Sequence, residues 1–196
     1  MGSTALPATA STQIRRPAAE DARSSLRVED VYEAHFDYVW RVARRLGAPA
    51  QYLDDVVQEV FVVVQRRLHE FEGRSELKTW LFSITRRVVR AHARRHARHA
   101  RAATDELEEF ADEAAPNAEA QLAASEGTRV MYAMLQELDE DKREVFVLSE
   151  LEELSGPAIA EALDLHLSNV YSRVRAARQA FEAALARYRA RTARQR

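Results

Sequence analysis

Leu53, Val57, Val60, Val64 and Leu68 recur at intervals of four, three, four and four residues. Only an α-helix brings residues so spaced onto one face. The same rhythm runs upstream through Val28, Tyr32, His35, Val39, Val42 and Leu46, with Phe36 and Trp40 widening the apolar side. It runs downstream through Leu77, Leu81, Ile84, Val88 and Ala91. Later candidates for core positions are Val130, Met134, Leu135 and Leu138, then Val145, Phe146 and Leu148. The 196 residues include only 5 Gly and 5 Pro, so few positions break a helix. The expected fold class is therefore all-α. Helices are predicted at about 28–46, ending at Gly47, and at 50–68, 76–98, 126–138 and 140–150. In the second, Val56, Val62 and Val63 lie off the main seam, leaving apolar surface that suggests a partner. His35, on the first seam, reads as a packed core histidine.

The stretch from Ser155 to Arg178 has a different organisation. Ser155 can cap a short helix, and Pro157 sits where a missing N–H costs nothing. Ile159, Ala160 and Leu163 give that helix its apolar side. After a turn at 164–167, Val170, Val174 and Ala177 face inward on a second helix. Ser168, Asn169, Tyr171, Ser172, Arg173, Arg175 and Arg178 face outward. A short support helix followed by one with exposed cations and hydrogen-bonding groups is the helix-turn-helix pattern. Those side-chain types are what reading the DNA major groove requires.

A formal net charge of −2 hides segregation of sign. Seven arginines and no acid fall between Arg86 and Arg101, and seven acids and no base between Asp105 and Glu119. Eight arginines face a single acid, Glu182, from Arg173 onward. Two basic blocks around an acidic one suggest two surfaces for one polyanion, separated by a linker. Residues 1–25, rich in Ala, Ser, Thr and Pro, read as a disordered tail. The expected architecture is two small helical domains, 26–100 and 125–190, joined by a flexible acidic linker at 101–124, with a basic tail at 191–196. In the first, FEGRSE at 71–76 is a Gly-centred loop whose Ser75 can cap the next helix. Phe71, Trp80 and the arginines after them suit a nucleic acid with one unstacked base.

Other function classes find little support. The absence of Cys excludes disulfides, thiol nucleophiles and thiolate metal sites. No apolar run approaches the ~20 residues that span a bilayer, and no signal peptide is evident, so a cytoplasmic location without membrane insertion is expected. His92 and His96 have i, i+4 spacing but lie among arginines with no nearby carboxylate, so neither a metal nor another cofactor is expected. No Gly-rich loop or convergent His and carboxylate set points to an enzyme.

Taken together, YEAHFDYVWRVARRL, DDVVQEVFVVVQRR, FEGRSELKTWLFSITRRVVRAHARR and LDEDKREVFVLSELEELSGPAIAEALDLHLSNVYSRVRAAR resemble, in order, a bacterial RNA polymerase sigma factor of the extracytoplasmic-function group. The resemblance implies a chain that binds core polymerase and directs promoter-specific initiation. It implies that Asp54, Asp55, Gln58 and Glu59 grip the beta-prime clamp. Phe71, Glu72, Gly73, Arg74, Ser75 and Trp80, with Arg86, Arg87, Arg90, Arg94 and Arg95, would serve the −10 element and its melting. Ser168, Asn169, Tyr171, Ser172, Arg173, Arg175 and Arg178 would read the −35 element. It also implies contact with the beta flap and control by an anti-sigma factor, for which Val56, Val62 and Val63 would be suitable apolar positions. Asp164 stands where the group has Gly, and His166, a poor cap, where it has Ser; Ser168 is then expected to cap the recognition helix two residues late. The alternative is a stand-alone helix-turn-helix regulator that binds operators as a dimer.

Overall fold

The structure, a computed structural model, describes residues 26–102 and 126–194. The expected tail at 1–25, the acidic linker from 103 to 124 and the last two residues lie outside the described residues. Seven α-helices make up the described part: α1 Val28–Arg45, α2 Leu53–Arg67, α3 Leu77–Ala102, α4 Glu126–Gln136, α5 Glu140–Phe146, α6 Gly156–Leu163 and α7 Leu167–Ala193. Single 3-10 turns precede and follow α2, and a wide π turn, Val147–Leu151, continues α5.

α1, α2 and α3 pack on one another as a three-helix bundle. All five residues of the α2 seam are buried. α1 ends at Gly47, whose φ of 99° is open to glycine and strained for other residues. Val39, Val42 and Leu46 are buried as the apolar period indicates, and the departure is confined to the first turns. Val31 is buried and Tyr32 is 46% exposed, its ring edge-on to Phe61 at 4.7 Å. Tyr38 is buried as well and donates a hydrogen bond to the carbonyl of Lys78. His35 is half-buried and not a core residue; burial and then the Lys78 charge hold its imidazole below its ordinary pKa.

The carboxy-terminal half is organised on α7, against which α4, α5 and α6 pack. Asp139 caps α5, accepting from the Lys142 amide at 2.9 Å. The helix expected over 140–150 is split, because after Phe146 the chain widens so that Glu152 N–H bonds to the Val147 carbonyl, five residues back. Phe146 stacks on Phe181 at 4.4 Å and ties α5 to α7.

The two halves meet. Their buried apolar residues form one contiguous cluster, and α3 packs against α6. Arg44 is held 4.8 Å over the Tyr132 ring. Arg143 reaches across to donate to the Leu46 carbonyl at 3.0 Å, and Arg45 pairs with Glu152.

Candidate nucleic-acid interface

Asp54 and Asp55 occupy the first turn of α2, where negative charge complements the helix dipole. Both are exposed, as is Gln58 one turn on. Glu59 differs from them. Its carboxylate accepts from both terminal nitrogens of Arg95, at 2.6 and 3.2 Å. That bond, opposed by partial burial, holds Glu59 below the ordinary glutamate pKa. Glu59 and Arg95, expected on two separate surfaces, are brought together by the fold. Beside them the rings of Tyr52, His92 and His96 pack at tilted angles, with the His96 ring centroid 4.2 Å from that of Tyr52 and 4.4 Å from that of His92. His92 therefore has a packing role there. Burial, then His96 and Arg95, lower its pKa.

The apolar surface expected on α2 is smaller than the sequence suggests. Val56 is fully buried, because it faces inward between seam positions, and Val63 is half-buried against the core. Only Val62, at 43% exposure, is open as expected.

Phe71 to Glu76 form an irregular loop between α2 and α3. Gly73 turns it with φ 67° and stands clear of neighbouring atoms. Glu72, Gly73 and Arg74 are exposed, and Arg74 pairs with Glu72 across the glycine. Ser75 is half-exposed. Phe71 and Trp80 lie behind the loop, both half-buried, with ring centroids 5.4 Å apart. This places an exposed turn over an aromatic pair, a geometry in which a splayed base can find a stacking face.

Along α3 the arginines are not equivalent. Arg87 and Arg94 are exposed. Arg86 and Arg90 are turned to the carboxy-terminal half, where both meet Glu144. Arg90 donates to the two Glu144 oxygens at 2.6 and 2.8 Å and to Asp141 at 2.9 Å. Arg86 Nε lies 2.7 Å from Glu144 Oε2 but is out of hydrogen-bond alignment, so this is a charge contact. Glu144 is 3% exposed. Sequence reasoning missed it, since an acid preceding a Val-Phe pair carries no sign of burial; only the facing arginines explain it.

The helix-turn-helix forms as the sequence predicts. Ser155 Oγ accepts from the Ala158 amide, Pro157 occupies the first turn of α6, and Asp164 takes the left-handed conformation, φ 55°, in the turn. The register of α7 is a correction. His166 is the N-cap and its carbonyl accepts from Asn169 and Val170, although its side chain makes no cap. Ser168 lies inside the first turn and does not start the helix, because the Leu165 amide already bonds back to Ala160 and fixes where the turn ends. Ser168, Asn169, Tyr171, Ser172, Arg175 and Arg178 are exposed and Arg173 is half-exposed. Tyr171 folds back over α6, and a Cβ on Gly156 would sit 2.9 Å from its hydroxyl. Arg173 pairs with Asp141 at 3.3 Å, and Arg178 with Glu150 at 2.8 Å.

Residues 31–99 match the sigma-70 region 2 family, and residues 128–181 the sigma-70 region 4 family. The chain is 32% identical, over 139 residues, to the ECF RNA polymerase sigma-E factor of Haemophilus influenzae, covering 66% of this chain and 72% of that protein. The fold is similar to that of CnrH, solved in complex with the cytosolic domain of CnrY, with a TM-score of 0.60, 27% identity and coverage of 85% of this chain and 94% of that one. It is also similar to that of the Bartonella quintana sigma factor RpoE, solved with the anti-sigma factor NepR, with a TM-score of 0.65, 22% identity and coverage of 80% and 95%.

Proposed function

The chain belongs to the extracytoplasmic-function group of RNA polymerase sigma factors, and from that premise we propose a division of labour among its surfaces. As a transcription initiation factor it directs promoter-specific initiation and is not a stand-alone operator binder. Residues 26–100 hold core polymerase and read the −10 element. Asp54, Asp55 and Gln58 offer an exposed acidic edge to the beta-prime clamp, while their helix keeps its apolar seam buried. Glu59 supports that edge through Arg95 and does not meet the clamp as a free acid. The 71–76 loop and the Phe71–Trp80 pair hold an unstacked base, and the α3 arginines follow its backbone. Residues 125–190 read the −35 element through the start of α7 and meet the beta flap. The segment between them is the linker. The chain works with polymerase in the cytoplasm and contributes no catalysis of its own. No helix among the described residues is long and apolar enough to cross a membrane. An anti-sigma factor controls it by covering polymerase-binding surface, with Val62 and Tyr32 as exposed apolar contacts.

The observation that carries this reading is the match of both halves in order, on residues whose exposed groups have the chemistry each contact needs. Run-off transcription with core polymerase tests it. The expected result is promoter-dependent product, with Asp54→Lys/Asp55→Lys weakening co-elution with core at least about tenfold, since two charge reversals oppose the contact. Arg175→Ala is expected to retain core binding and lose promoter selectivity by about 1–3 kcal/mol. Specific promoter binding by the chain alone, with no affinity for core, would overturn the reading.

A further inference from the structure

Among the described residues few large apolar side chains face solvent, and two of them share the head of α7. Leu167 is 41% exposed and Tyr171 60% exposed. Scattered singly, exposed apolar groups need no explanation. These two stand four residues apart, and with Arg175 they climb one side of the helix in steps of about 40°. Both adjoin the polar face assigned to the −35 element.

The pair has a seat on the support helix. A Cβ on Gly156 would fall 2.9 Å from the Tyr171 hydroxyl, 3.0 Å from Tyr171 Cζ and 3.1 Å from Leu167 Cδ1. Glycine at the start of α6 thus lets both side chains close over it. The hydroxyl is turned to that backbone, so the remainder of the ring is what α7 presents outward. A ring held in this way loses little freedom on docking. Several polar groups around it are already engaged. Ser172 Oγ donates to the Asn169 carbonyl at 3.0 Å, Arg173 pairs with Asp141, and Arg178 pairs with Glu150. The side chains of Ser168, Asn169 and Arg175 have no partner among the described residues.

Groove chemistry limits what the apolar pair can meet. Every base edge in the major groove carries hydrogen-bonding atoms, and thymine alone adds a methyl group. Guanine suits the arginine and adenine the asparagine. The amino group of cytosine or adenine, pressed against Leu167 and Tyr171, would lose water and gain no acceptor. A thymine methyl loses water there favourably.

We propose that Leu167 and Tyr171 form an apolar reading head, seated on Gly156, that selects a thymine within the −35 element by its 5-methyl group. The proposal rests on the assignment of α7 to that element. It adds the base, the atom that is read, and Leu167 as a residue that determines specificity.

Holoenzyme assembled from core polymerase and the full chain is used to select from a promoter library randomised over the −35 and −10 regions. The wild-type chain is expected to enrich thymine, on one strand or the other, at one −35 position. Deoxyuridine placed there removes only the methyl and is expected to weaken binding about fourfold, as for one buried methylene-sized group. That ratio is expected to hold as salt is raised, because a methyl contact releases no counterion. Leu167→Ala/Tyr171→Ala is expected to bind the thymine and deoxyuridine templates equally while still enriching bases at neighbouring positions. Tyr171→Phe is expected to keep the ratio, since the hydroxyl faces α6. Equal binding of the two templates by the wild-type chain, a result independent of how any variant folds, would overturn the proposal. So would an undiminished ratio in Leu167→Ala/Tyr171→Ala, or a ratio lost in Tyr171→Phe. Loss of core binding by the double variant with its thymine preference intact would make the pair a protein contact, and the proposal would fail. Selection that returns −35 preferences without a thymine dependent on the pair removes this inference alone. Selection that returns no −35 preference at all removes the assignment of α7 with it.

Discussion

Arg143 shows what a single side chain contributes where the sequence is silent. Its guanidinium donates to the carbonyls of Leu135, Leu138, Gln136 and Leu46, at 2.8, 2.9, 3.3 and 3.0 Å. It thus closes the loop between α4 and α5 and also reaches the end of α1. Gly47 makes room for it, since a Cβ there would fall 2.1 Å from Nη1. Arg143→Ala strands carbonyls that now accept from a charged fork, and is expected to cost about 2–4 kcal/mol in denaturant unfolding. Arg143→Lys is expected to recover less than half of that, because an ammonium cannot span four carbonyls; full recovery would refute the fork as the cause. None of this was legible in the residue string, where Arg143 is one cation in a polar run. Ser155, Pro157 and Gly47 were legible because their roles depend on local backbone chemistry. His166 was misread because the end of the preceding turn, and not the best capping side chain, sets the start of α7.

At the scale of elements, α2 was the most readable and its contact with α3 the least. Its five-residue seam is buried as its spacing predicts, whereas Val56 faces inward because α1 and α3 between them leave little of α2 uncovered. The pairing of Glu59 with Arg95 and the packing of His92 on Tyr52 depend on α3 crossing α2, which no local pattern encodes. That contact has a pH signature. His92 has its pKa lowered from 6.5, so the unfolded chain takes up its proton first and stability falls as pH drops below about that value. Glu59 is lowered from 4.5, so its pairing with Arg95 favours folding above that pH and is lost as pH falls through the lower, folded value. Thermal melts between pH 8 and 3 are expected to show a decline in two stages. His92→Gln is expected to shrink the first stage, to which the similarly lowered His35 also contributes, and to leave the second. A first stage of unchanged size in His92→Gln would place its origin elsewhere.

At the scale of the whole molecule, the sequence indicated two halves and the acidic block between them. It did not indicate how the halves would meet. The apolar periods of α5 and α6 mark positions that are buried without showing which surface buries them, and the shared cluster runs through both halves. Partly exposed ion pairs across the junction, including Arg90 with Glu140 and Asp141, are sensitive to screening. Raising sodium chloride from about 0.05 to 1 M shrinks the Debye length to roughly 3 Å. Calorimetry is expected to show one transition at low salt and a lower midpoint at high salt, by about 2–4 °C for each kcal/mol of lost pairing. A midpoint that does not fall would assign the junction to apolar packing alone.

The wide turn at Val147–Leu151 sets the bearing of the acids on either side of it. In an unbroken α-helix, Glu144 and Glu152 would point about 80° apart, at 100° per residue over eight residues. One extra residue in the turn removes about 100° of that rotation and leaves them within roughly 20° of each other. Both then face the amino-terminal half, Glu144 toward Arg86 and Arg90 and Glu152 toward Arg45. A single residue's worth of slack in the backbone thus aims two carboxylates, eight positions apart, at one target.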